Sequence, residues 1–424
     1  MEADETEMVK SECVNSKAAI RRDGESTLGT KAQMLFYGVA CVLFWSVLLI
    51  QLPFIKDSFG GVPTIFYVPL VYGLASNVSR IVIMWFHSRS IHPTRTKLSH
   101  MIYSGAAVTA LGMFSLPVAL ALLPTAPTSL GFWICMVITG VVGIFNSLLV
   151  SGGFALMALA PRGTGQFYLL GLTATGIVTW PLMMLLRHIA GKCGAGDDTS
   201  FVVAAISLSL TGVLCLSAIA VYRWCTLRNA FFKDQLEAQR TEPDRAGLVA
   251  TFRMIWVPTV ALWWSRMATF ALYPGMLGLW SPSSSAYGKS EYQSFLIYMG
   301  PLSDTVGQLV YRYSRLSRMI GVKGLVILTA VRSAVIIPLF LVSAWYDGSD
   351  SVVSADWFRC LLMFGFSFSM GINYSAGNAI APRQVSSTDE KFTVGVILSF
   401  VAMNGLFVGS LVGVGFKQLL EKHS

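Results

Sequence analysis

Residues 129–156 read SLGFWICMVITGVVGIFNSLLVSGGFAL, and no Asp, Glu, Lys, Arg or His interrupts them. The hydrocarbon core of a bilayer is about 30 Å thick and a helix rises about 1.5 Å per residue, so roughly 20 apolar residues cross it. This stretch is long enough. Working outward from it, runs of the same character recur almost without interruption from Lys31 to Phe416, with Gly and Pro inside them. The spans fall at residues 32–55, 62–86, 100–123, 129–156, 165–190, 199–222, 251–280, 292–313, 321–345, 357–382 and 392–417. A β-barrel would show segments of about 10 residues alternating in polarity. The sequence therefore predicts an all-α polytopic membrane protein with about eleven transmembrane helices.

Composition agrees. The 424 residues are 54% hydrophobic and only 12% charged, against about 25% charged residues in an average soluble domain. Mean hydropathy is +0.62. So few charges cannot coat a water-soluble surface.

The longest connection, residues 223–250, is polar and divides the chain. This gives an N-terminal tail (1–31), six helices (32–222), the connecting loop (223–250), five helices (251–418) and a short C-terminal tail (419–424). Two bundles of this kind can rock about a site between them. The loop, with Lys233, Asp234, Glu237, Arg240 and Pro243, reads as a flexible linker in preference to a short surface helix. No residue-by-residue repeat links the halves.

Cytoplasmic connections of membrane proteins carry an excess of Lys and Arg. With the N-terminus inside, the inner segments hold 21 Lys or Arg and the outer ones seven. That bias accounts for the net charge of +9 and argues against nucleic acid as a partner. The lipid bilayer is the expected surrounding, in the plasma membrane. The N-terminus is expected in the cytosol and, after an odd number of spans, the C-terminus outside. Tags on the N-terminus and the central loop should resist protease in intact cells while a C-terminal tag is cleaved. Both termini on one side would refute the eleven-span count.

No short apolar leader precedes the first span, so a cleaved signal peptide is not expected. Among seven cysteines only Cys193 falls in an outer loop, so neither a disulfide framework nor a metal site is implied. The glycosylation sequons at Asn77 and Asn373 lie inside spans and read as chance matches. No nucleotide-binding loop, zinc spacing or nucleophile constellation occurs, so neither catalysis nor a cofactor is expected, and nothing indicates an oligomer.

Four ionisable residues lie deep in apolar spans: Arg80, Arg266, Asp304 and Arg332. A charge at mid-bilayer costs about 2.5–3.5 kcal/mol on insertion scales, so each needs a partner or a wet cavity. Arg80 is near the inner end of its span and is expected to snorkel to the interface. Asp304 is the leading site candidate, because a carboxylate there can accept hydrogen bonds from sugar hydroxyls or hold an arginine. Arg266 or Arg332 would be its positive partner; a purely structural ion pair is the rival reading. Trp45 reads as core packing on position alone. Tyr273 precedes Pro274 and Gly275, where a proline bend inside the span would free carbonyls to line a cavity. Gly405, Gly409 and Gly413, four apart, place bare backbone on one helix face for close packing.

Several of these positions also carry a family likeness. The run FSMGINYSAGNAIAPRQV at 368–385, the following VGVILSFVAMNGLFVGSLVG, Tyr273-Pro274-Gly275, Arg332 with Pro338-Leu339-Phe340, and Asp304 with Gly307 resemble motifs of the equilibrative nucleoside transporters. Phe44-Trp45, Asn146-Ser147 and Pro161 agree more loosely. The resemblance implies a major-facilitator-like 6+5 bundle that transports nucleosides, and sometimes nucleobases, by facilitated diffusion or with protons. It also implies a pocket lined by Trp45, Leu49, Tyr273, Asp304 and Leu406. The chain departs from the family pattern at Gln308, where an arginine is usual, at Pro301, where an asparagine is usual, and at Val150 or Ser151, where a glutamine is expected. Ser151 and Gln308 join the candidate substrate-binding residues on that ground. The alternatives are a carrier of the same fold for another small polar or amphipathic solute, and a non-transporting membrane scaffold.

Overall fold

The computed structural model describes residues 28–59, 64–89, 94–123, 129–161, 163–192, 199–237, 247–273, 280, 282, 289–345 and 351–421. Among these there is no strand. The long helices are α1 (Leu28–Ser58), α2 (Thr64–Arg89), α3 (Thr94–Leu122), α4 (Leu130–Leu159), α5 (Gln166–Lys192), α6 (Thr199–Val221), α7 (Leu248–Leu272), α8 (Lys289–Tyr313), α9, α10 (Asp356–Ile380) and α11 (Thr388–Glu421). Helix α9 runs as Val322–Val331, a π-helical turn at Arg332–Ile336, and Ile337–Trp345.

Nine of these helices are long and apolar enough, by length and composition, to cross a membrane. The other two, α8 and α10, are 25 residues each and long enough, but more polar. They carry Asp304 and Gln308, and Ser367, Asn373 and Asn378, on faces turned inward. The surface is correspondingly apolar, with Phe86, Leu111, Val137, Val178 and Ile327 exposed, while Arg80, Asn77, Asn146, Arg332 and Asn373 are buried. This inside-out arrangement suits lipid as solvent, and the chain is an integral membrane protein. Both sequons lie in helices with their asparagines buried.

The two halves pack by the same scheme although their sequences share no repeat. In the first half α1 packs on α5, α2 on α4 and α3 on α6; in the second, α7 packs on α11 and α8 on α10. Shifting the first set by six helices reproduces the second, except that among the described residues α9 has no twelfth helix against it. Small residues set the close crossings. Gly38 and Gly171 face each other across α1 and α5, so a methyl on either would strike the other's Cα at 2.8–2.9 Å. Gly405, Gly409 and Gly413 of α11 lie against the carbonyls of Trp263, Met267 and Ala271 of α7, one turn apart on both helices.

Two expectations need correction. Helix α7 stops at Leu272 and does not bend through the Tyr-Pro-Gly; Tyr273 is its cap, extended at φ −111° and ψ 134°. A residue before proline is driven out of the helical region by the proline ring. Pro274 and Gly275 themselves lie outside the described residues. The connecting loop is also not wholly a linker: Ala230–Glu237 is a helix whose Phe232 and Leu236, one turn apart, insert into an apolar core built from both halves. Residues 238–246 lie outside the described ones.

Candidate functional site

Six helices, three from each half, present stripes at three- and four-residue spacing to a shared cavity of about 670 Å³. On α2 the stripe is Pro69, Tyr72, Gly73, Ser76, Asn77 and Arg80; on α1 it is Cys41, Val42, Trp45, Ser46, Leu49 and Ile50. Helices α5, α7, α8 and α11 supply the other walls, with α4 and α10 touching the floor through Asn146, Val150, Met370 and Tyr374. The cavity extends from mid-depth toward the end at which α1, α5 and α11 finish. None of its lining residues comes from the opposite end of any helix.

That opposite end is sealed between the halves. Gly395 of α11 lies against the backbone of Phe154 and Ala155 of α4, and Ser151 and Ser399 share a hydrogen bond of 2.9 Å across the same crossing. The Arg312 guanidinium of α8 covers the Phe167 ring of α5 at 3.3 Å. One apolar core, including Tyr37, Phe154, Tyr168, Leu262, Tyr374 and Val396, runs across both halves there.

The walls are mostly aromatic and aliphatic, with a few polar groups at the floor. Trp45 stacks on Tyr72 at 4.6 Å and 22°. Tyr72 donates to Asn146 Oδ1 at 2.8 Å, and Asn146 in turn donates to the Cys41 carbonyl, tying α2 and α4 to α1. Tyr273 donates its hydroxyl to the Ile297 carbonyl at 2.7 Å, which holds the ring against the start of α8. Pro301 of α8 packs into the space left by Gly176 of α5.

Asp304 lines the cavity and accepts a hydrogen bond from Gln308 Nε2 at 3.3 Å. Helix α10 reaches it because Gly371 has no side chain: a methyl there would meet the Asp304 carbonyl and stand 2.9 Å from Oδ1. Neither arginine makes a contact ion pair with this carboxylate, although both act on it electrostatically. Arg332 donates to Thr269 Oγ1 at 2.8 Å and to Met370 Sδ at 3.4 Å and lies over the Phe366 ring at 4.6 Å, while Arg266 lies 3.7 Å over the Tyr374 ring. Aromatic faces and neutral acceptors thus take most of the guanidinium contacts that an ion pair would have made.

No family model matches the chain, and no curated protein matches it in sequence. Its backbone, however, superposes on the fucose:proton symporter FucP of Escherichia coli at a TM-score of 0.60, over 94% of this chain and all of that one, at 10% identity. A second structure of FucP, described as a major facilitator superfamily transporter in the outward conformation, gives 0.55 over 95% and 99% at 9% identity. The chain has the major facilitator fold.

Within this fold the expected residues separate into two groups. Trp45, Leu49, Tyr273, Asp304 and Leu406 all line the cavity. Ser151 does not; it is buried in the α4–α11 crossing of the sealed end. Gln308 is also buried, one turn below the cavity, and reaches the site through Asp304. The snorkelling expected of Arg80 fails. It is 1% exposed and its Nη1 reaches back to Ser76 Oγ, one turn toward the start of α2, onto the cavity floor. Side chains lean toward the N-terminal end of a helix, and for Arg80 that is away from the near interface. The polar face 72, 73, 76, 77, 80 in an otherwise apolar span was the signal that would have found it. Trp180 and Tyr298, which meet across α5 and α8 at 5.7 Å, had no comparable signal.

Proposed function

We propose that the protein is a carrier that moves a small solute across the membrane by alternating access, and that nucleosides and nucleobases are its substrate class. The observation that carries the first part is the cavity at the junction of the halves, open toward one end and sealed at the other. One state of an alternating-access carrier has this form. With the charge bias of the loops, the sealed end is cytosolic and the open end faces outward; we assign the protein to the plasma membrane.

The nucleoside reading draws on the sequence resemblance and on the chemistry of the walls. A planar base can stack against the exposed side of the Trp45–Tyr72 pair, and the Asp304 carboxylate, with one oxygen engaged by Gln308, can accept from ribose hydroxyls. The volume suits a solute of that size. Movement is by facilitated diffusion or coupled to protons.

Uptake of labelled adenosine, uridine and hypoxanthine, in a host without carriers of its own, tests this. Saturable flux is expected. Base–aromatic stacking contributes about 1–3 kcal/mol, so Trp45→Ala should raise the half-saturation concentration roughly 5- to 150-fold, with Tyr273→Ala acting in the same direction. Unchanged values for both, after correction for protein at the surface, would place the solute elsewhere. Absence of any saturable flux would favour a scaffold.

A further inference from the structure

We infer that, within the proposed nucleoside and nucleobase class, the solute bound most tightly carries an anionic group and that Arg80 receives it. This rests on the cavity being the transport site. Arg80 Nη1 is engaged by Ser76, but Nε and Nη2 have no partner although the side chain is 1% exposed and lines the floor. Nε–H and the adjacent Nη2–H point the same way and form the side edge of the guanidinium fork, the edge that takes a carboxylate through two parallel hydrogen bonds. The ionisable groups that act on Arg80 are Tyr72, whose hydroxyl also lies within hydrogen-bonding reach of it, Tyr168 and Cys41, and none is a carboxylic acid.

Charge accounting across the cavity points the same way. Among the described residues, Arg80, Arg266 and Arg332 lie at this depth against a single carboxylate, Asp304. Asp304 belongs to the other half, and the cations that act on it are Arg266 and Arg332. Arg80 is therefore the cation with no compensation of its own, set below the stacked Trp45 and Tyr72. A buried guanidinium with a free fork under an aromatic wall fits a planar heterocycle bearing one negative charge. A neutral nucleoside would leave the fork's charge unanswered.

The purified full-length protein is offered three pairs of planar probes, each an anion and its neutral relative at neutral pH: orotate and uracil, urate and hypoxanthine, nicotinate and nicotinamide. Equilibrium binding is measured by calorimetry in detergent, and uptake in vesicles. In at least one pair the anion is expected to bind tenfold or more tighter, with Arg80→Gln erasing the preference and Arg80→Lys, which keeps the charge but not the fork, retaining part of it. No anion preference in any pair overturns the inference, and so does a preference that Arg80→Gln leaves intact. Should Arg80→Gln not fold, the wild-type pairs and Arg80→Lys still decide. Nucleoside uptake without anion preference leaves the carrier reading standing and removes this one; anion binding without uptake of any solute does the reverse.

Discussion

Asp304→Asn is expected to lower nucleoside flux roughly 10- to 150-fold while the protein still folds. The size follows from the loss of a charge-assisted hydrogen bond, about 1.5–3 kcal/mol. Folding should survive because asparagine has the same shape and its carbonyl can still accept from Gln308 Nε2. Arg332 keeps Thr269, Met370 and the Phe366 ring, and Arg266 keeps the Tyr374 ring, so neither cation depends on a contact with this carboxylate to stay in place. Gln308→Arg, which would set a cation one turn from Asp304, should shift substrate preference with a smaller change in flux. Normal uptake by Asp304→Asn at every pH between about 5.5 and 8 would make the residue structural and exclude proton coupling through it.

Gly371→Val should be more damaging to the fold than any cavity substitution. Its first side-chain atom would enter the Asp304 carbonyl, and the crossing of α8 and α10 has no slack, since Gly307 on the other helix lies against the Phe368 carbonyl in return. Overpacking of this kind costs about 1–3 kcal/mol where neighbours can yield, and here the neighbour is backbone. A fall in melting temperature and in surface protein is expected, with the remaining protein impaired in uptake because Asp304 has moved. Gly365→Ala on the same helix is the control: nothing lies within 4 Å of a methyl there, so it should behave as wild type. Equal melting temperatures for Gly371→Val and Gly365→Ala would show that the crossing is not tight.

The helices were legible because crossing a bilayer imposes a length and a polarity that few other constraints can mimic. Their limits were less so: α7 ends two residues before Pro274 because of backbone sterics that a hydropathy window does not register. The cavity was legible where a charge stood out in an apolar span, as with Asp304, whereas Trp45 read as core packing on position and entered the pocket only through the family resemblance. It was not legible for Arg80, whose depth was read from its distance along the helix without regard to the direction its side chain leans. Ser151 was misplaced for a different reason. It falls at the right height on α4, but the halves meet along that face, and no single-span reading reveals which faces meet.

The unpaired position of α9 makes the bilayer itself a structural component of the second half. Residues Val322–Ser343 have the highest mean hydropathy of the nine apolar spans, 2.5, and the lowest burial, 22%. Ile327, Val331, Val335 and Val342 lie at least half exposed along it. At about 1.5 Å per residue this segment matches a hydrocarbon core of about 30 Å, so a thinner or thicker membrane must be met by tilt. The turn that tilts with it holds Arg332, whose hydrogen bonds end on α7 and α10. A tilt of α9 would therefore be felt by the α7 and α10 residues around Asp304, with no twelfth helix among the described residues packed on α9 to insulate them.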